Sequence, residues 1–87
     1  MKCSACSGRL VATDRPTLSR CRKCGGLHGS CLRGDATALV GLGLPMQSNA
    51  SSPEALRFFD LTVIGSQGVS RIHGWFDVQT VRVVQYG

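Results

Sequence analysis

The clearest alternation of apolar and polar positions lies in the last third of the chain. Over residues 71–76, Arg71, His73 and Trp75 fall on one parity and Ile72, Gly74 and Phe76 on the other. That is the period of two that an extended strand imposes. Ile72 and Phe76 are expected to face a core, with Gly74 admitting a neighbouring group, while the other three make a polar and aromatic strip. Upstream, residues 57–64 are rich in aromatic and β-branched side chains, and Gly65-Ser66-Gln67-Gly68 supplies a turn. Downstream, Val78-Gln79-Thr80 makes a second bend before residues 81–86. The pattern predicts a three-stranded antiparallel meander over residues 57–87.

The first third carries shorter strand signals, at residues 9–13 and 17–20 on either side of the turn former Asp14-Arg15-Pro16, and at 27–32 after Gly25-Gly26. Residues 34–56 read as a loop-rich connector. Its most apolar stretch, residues 39–46, is interrupted by Gly41, Gly43 and Pro45 and is expected to pack on the sheet. Ser51 three residues before Glu54 predicts one or two helical turns ending near Arg57. The expected architecture is a small mainly-β domain with little helix, in which an N-terminal unit (1–33), a connector (34–56) and a meander (57–87) pack as one compact unit. No apolar run approaches the roughly 18 residues of a membrane span, so no membrane partner is expected.

With 87 residues, the chain has little apolar surface to bury, and a metal staple commonly answers that shortage. The cysteines supply one. Cys3-Ser4-Ala5-Cys6 and Cys21-Arg22-Lys23-Cys24 are two Cys-x-x-Cys pairs with 14 residues between them. Two residues between paired cysteines let the backbone curl both sulfurs toward one point, and the intervening loop is long enough for a hairpin that brings the pairs together. Four thiolates so placed close a tetrahedron around one structural Zn²⁺ through Cys3, Cys6, Cys21 and Cys24. Two disulfides are the alternative; they suit a secreted chain, and nothing here resembles a signal peptide. This layout of two knuckles and short hairpins resembles the zinc-ribbon (rubredoxin-like double-knuckle) group over the first third of the chain. The resemblance implies a zinc site and a ribbon fold but no single function, because ribbons occur in polymerase subunits, transcription factors, ribosomal proteins and adaptors. The small size and plain make-up also resemble zinc-ribbon proteins of bacterial mobile elements, which implies a cytoplasmic setting.

The fifth cysteine, Cys31, reads as a small buried apolar residue in the third strand. A substitute metal ligand and a reactive thiol are its alternatives. His28 lies at the opposite parity and reads as a polar neighbour of the metal site, with zinc ligation as the alternative.

Charge is uneven. Residues 1–33 hold seven basic side chains against Asp14 alone, whereas residues 34–87 hold three against four acidic ones. A zinc ion with four thiolates carries −2, which trims the basic excess without removing it. Arg22 and Lys23 fill the second knuckle beside Arg20, on an expected exposed tip suited to phosphate. Their alternative role is to offset the charge of the metal centre. Arg71, His73 and Trp75 offer a second strip for bases or a protein partner; alternatively Trp75 is covered by residues 39–46 with Arg71 stacked on it. No motif for acid–base, nucleophilic or phosphate-cradling chemistry is present, so no enzymatic activity is expected. The sequence thus points to a non-enzymatic zinc protein binding nucleic acid through Arg20, Arg22 and Lys23 with help from Arg71, His73 and Trp75. The alternative is an adaptor or inhibitor that sets the Trp75 face against a larger protein complex.

Overall fold

The computed structural model describes residues 2–86. Strands β1 (Leu10–Ala12), β2 (Leu18–Cys21), β3 (Leu27–Leu32), β4 (Leu56–Gly65), β5 (Gly68–Asp77) and β6 (Arg82–Tyr86) form one six-stranded sheet in sequence order. Every pairing is antiparallel except β3 with β4, which run parallel with Leu27 opposite Phe59 and Leu32 opposite Ile64. A parallel neighbour cannot be reached by a hairpin. The chain crosses over through helix α1 (Arg33–Val40), a loop and a single 3-10 turn at Pro53–Ala55.

Helix α1 stands where the sequence reads as the opening of a connector. Its signals are weak. Leu32 at the N-cap makes no side-chain cap, Gly34 sits in the first turn, and only Ala36 and Val40 are buried. Those two are four residues apart and so share one helix face. Packing therefore selects the helix more than propensity does. Gly41 ends it in the left-handed region (φ 79°), its N–H bonding Thr37 O at 3.0 Å. The helical turns expected after Ser51 shrink to the 3-10 turn, with no side-chain cap from Ser52.

Register assigns each side chain to a face. Phe59, Leu61 and Val63 of β4 join Leu18, Cys31, Ala36, Val40, Leu42, Phe76 and Val83 in the core on the helix face. Truncating one of these large side chains, such as Phe59, costs about 3–5 kcal/mol. The other face is uncovered over much of its area and carries Phe58, Asp60, Thr62 and Ile64 from β4 opposite Trp75, His73, Arg71 and Val69 from β5. The expected parity of 71–76 therefore holds. At Gly74 the close neighbour is backbone: a Cβ there would lie 2.1 Å from Gln85 O, where β6 crosses at a bulge between Trp75 and Phe76.

Asp77, fully buried, fastens the loops at this end. Its Oδ2 accepts the Ser51 N–H at 2.6 Å and Gln47 Nε2 at 2.8 Å, and its Oδ1 accepts the N–H groups of Gln79 and Thr80. These bonds, led by the Ser51 N–H, hold its carboxyl well below the usual carboxylate range.

Candidate metal centre and the two sheet faces

The two Cys-x-x-Cys turns are built alike. In the first, Cys3 N–H bonds Gly8 O at 2.8 Å and Ser7 N–H bonds Cys3 O at 2.9 Å; in the second, Cys21 N–H bonds Gly26 O at 2.8 Å and Gly25 N–H bonds Cys21 O at 2.9 Å. Each turn has a left-handed residue just after its second cysteine, Ser7 (φ 61°) and Gly25 (φ 77°). The following glycine makes room for metal ligands: a Cβ on Gly8 would lie 2.7 Å from Cys21 Sγ.

The hairpin β1–β2 brings the turns together, and the ligand atoms of Cys3, Cys6, Cys21 and Cys24 lie within 4.8 Å of one another. Cys3 and Cys24 sulfurs are 3.7 Å apart, those of Cys6 and Cys21 3.4 Å. A tetrahedral ion with ~2.3 Å bonds to sulfur has edges of about 3.8 Å, so the cluster fits one. Backbone N–H groups already point at the sulfurs. Ala5 donates to Cys3 Sγ, and Lys23 and Cys24 donate to Cys21 Sγ, each at 3.4 Å. The Cys24 N–H leads the effects that bring the Cys21 thiol down to about 6. Burial pushes the Cys24 thiol up to about 12, against the Gly26 N–H. All five cysteines carry free thiols in the structure.

His28 lies on the open face of β3, 8% exposed, with Nε2 3.2 Å from Cys3 Sγ and its ring against Phe58. Burial lowers its pKa, with Asp60 opposing, which favours the neutral ring. In the tautomer with the proton on Nε2 it donates to the Cys3 sulfur. Cys31 points the other way into the core, outside the four-sulfur cluster, and burial pushes its thiol up. It is thus the small buried residue that its place in the third strand suggests. His28 is thus the polar neighbour of the cysteine cluster that the sequence suggests, while its particular partner, Cys3, is set by the fold that brings the first turn to β3.

The six other site residues divide between the two faces. Arg20 pairs across the ladder with Val11 and Leu27, on the helix face, where it and Arg22 line a cavity with Arg57. Lys23 is exposed on the second turn. Arg71, His73 and Trp75 stand together on the open face. There Arg71 forms a two-pronged ion pair with Asp60, Nε to Oδ1 at 3.0 Å and Nη2 to Oδ2 at 2.8 Å. Trp75 meets Phe58 edge to face, ring centres 5.3 Å apart. Residues 39–46 do not cover Trp75, since Val40 and Leu42 pack into the core on the other side. Arg57, which the sequence placed between a short helical turn and a strand, joins Arg20 and Arg22 because odd-numbered positions of β4 face the helix.

Comparison of the chain with known protein families, with curated proteins and with solved structures gave no match. The class is therefore set by geometry: a small mainly-β domain whose four N-terminal cysteines form a zinc-ribbon-like site positioned to hold a metal ion. Among the described residues no helix is long and apolar enough to cross a membrane.

Proposed function

We propose that this is a small zinc protein that binds nucleic acid by phosphate contacts from the basic side of its ribbon. Zinc is the ion that four thiolates in a tetrahedron suit, with iron the other candidate of that donor set. Four protein ligands leave no open position, so the ion's role is to hold the two turns together. A distinct task then falls to the surface.

The observation that carries the nucleic-acid reading is the state of the arginines. Arg20 and Arg22 are exposed, make no ion pair among the described residues, and converge with Arg57 on a cavity whose described lining holds no carboxylate. Guanidinium groups kept free of internal partners are available to phosphate oxygens. Arg71 is already neutralised by Asp60, and Arg15 pairs with Asp35 at 3.4 Å. Changing Arg20, Arg22 and Lys23 to Glu should weaken binding and flatten the slope of log K against log salt by roughly 0.7–0.9 for each phosphate that is no longer neutralised. If the folded parent binds neither single strands nor duplex at about 100 mM salt, the reading falls.

A protein partner is the second reading, and one observation favours it. Leu32, Ile64 and Val69 lie in register on three adjacent strands of the open face, 60%, 42% and 66% exposed. With Trp75 further along, they leave apolar surface that an adaptor could use.

A further inference from the structure

We infer that the nucleic acid is single-stranded and lies in the groove on the helix face of the sheet, away from Trp75. This rests on the nucleic-acid reading and adds the type of strand and the side on which it runs. Helix α1 ends at Val40, so it covers the middle of the sheet and leaves the β1–β2 side and the start of β4 open. The resulting cavity has a volume of about 610 Å³. Its apolar floor draws on Val11, Leu27, Leu39, Phe76 and the half-exposed Val78, and its rim on Arg20, Arg22 and Arg57. Arg57 is held in place, its Nη1 donating to the carbonyls of Glu54 and Leu56, and glycine at position 25 leaves room for its guanidinium.

Floor and rim make different demands. The rim wants phosphate; the floor wants a flat or apolar group out of water. A duplex offers phosphates but keeps its base faces in the stack. An unstacked strand offers both, with bases resting on the apolar side chains and on the planes of the guanidinium groups. The open face is a poorer host. Its strip centres on the Asp60 carboxylate, whose charge repels phosphate and already occupies Arg71.

The test uses one substitution on two faces. Val78, on the groove floor, and Val69, on the open face, are both exposed, at 47% and 66%, so either accepts Asp without disturbing the core. The two variants have equal net charge, which cancels long-range electrostatics. Fluorescence anisotropy would follow a labelled oligothymidylate of about 12 nucleotides, within the usual site size of single-strand binders, and the corresponding duplex. Val78→Asp should weaken single-strand binding by about 10-fold, as expected for a carboxylate set among phosphates, while Val69→Asp stays within about twofold. The parent should prefer the single strand, and emission of its one Trp should not change on binding, because Trp75 is on the far side. Binding with Trp75 quenched and Val78→Asp unaffected would overturn the groove while leaving the nucleic-acid reading intact. Equal losses in both variants, or a duplex preference, would also overturn it. No binding of either probe would sink the nucleic-acid reading itself.

Discussion

His28→Phe is the most direct probe of how the fold supports the metal centre. The phenyl ring keeps the packing against Phe58 and fills the same buried site on β3, but it removes the nitrogen that lies 3.2 Å from Cys3 Sγ. Cys3 is itself 3% exposed, so water cannot replace the missing donor easily. Ala5 N–H at 3.4 Å remains the only other N–H donor to that sulfur among the described hydrogen bonds. A hydrogen bond to a charged group contributes about 1.5–3 kcal/mol, which corresponds to roughly 10–100-fold in metal affinity. His28→Gln, which can restore a donor on a longer arm, should recover part of the loss. A competition titration against a coloured zinc chelator measures all three proteins, with metal content per chain as a second readout. The expected result is one ion per chain throughout, held more weakly by His28→Phe. Equal affinity in parent and His28→Phe would refute the argument, since the hydrogen bond would then do nothing for the thiolate. Complete loss of the ion in both variants would make His28 a ligand and displace one of the four cysteines.

Four further outcomes can be checked. Cys3, Cys6, Cys21 or Cys24 changed to Ser should each lose the ion by metal analysis, whereas Cys31→Ser should keep it; retention in Cys21→Ser with loss in Cys31→Ser would reverse the ligand assignment. Gly41→Ala should destabilise by about 2–4 kcal/mol in urea melts, from a Cβ forced into a left-handed residue and set 2.2 Å from Val81 O. Val81→Asn should instead stabilise by about 1 kcal/mol, as a β-branched residue at φ 55° gives way to one that tolerates that region. Asp77 has a depressed pKa in the fold, so its stabilisation is present above the unfolded carboxylate value of about 3.9 and is lost as pH falls below it. The stability gap between parent and Asp77→Asn should therefore be widest near neutral pH and narrow progressively below about pH 4, any loss of metal being common to both. A gap constant with pH would show that Asp77 acts through shape alone.

The parts legible in the sequence were those written in local periodicity. The parity of Arg71 to Phe76, the turn at 65–68 and the knuckle spacing each lie within a few residues, and the meander and the four-sulfur cluster follow from them. Helix α1 was not legible, because Gly34, an uncapped start and just two buried positions leave no periodic stripe; the core face of β4 calls the helix into being. The parallel pairing of β3 with β4 was hidden for a related reason. Strand order between distant segments depends on which edges remain unpaired after local hairpins form, and no residue announces it. The separation of the ribbon arginines from Trp75 was likewise invisible. Neighbours in sequence type, Arg20 with Arg71, came to opposite faces, while Arg57 joined Arg20 across 37 positions of chain.

The parallel seam between β3 and β4 bears on the chain while it is still folding. Strands β4, β5 and β6 are joined by short turns and can assemble early, because their pairings close small loops. β3 must wait, since it belongs to the ribbon and returns to β4 only after the crossover. While β3 has not docked, β4 has one side unpaired, a ten-residue edge carrying Phe59, Leu61 and Val63. Such an edge invites a strand from another copy. An ion held by the four cysteines would therefore guard against association as well as hold two turns, and chelation should be felt first as self-adhesion of the stripped protein.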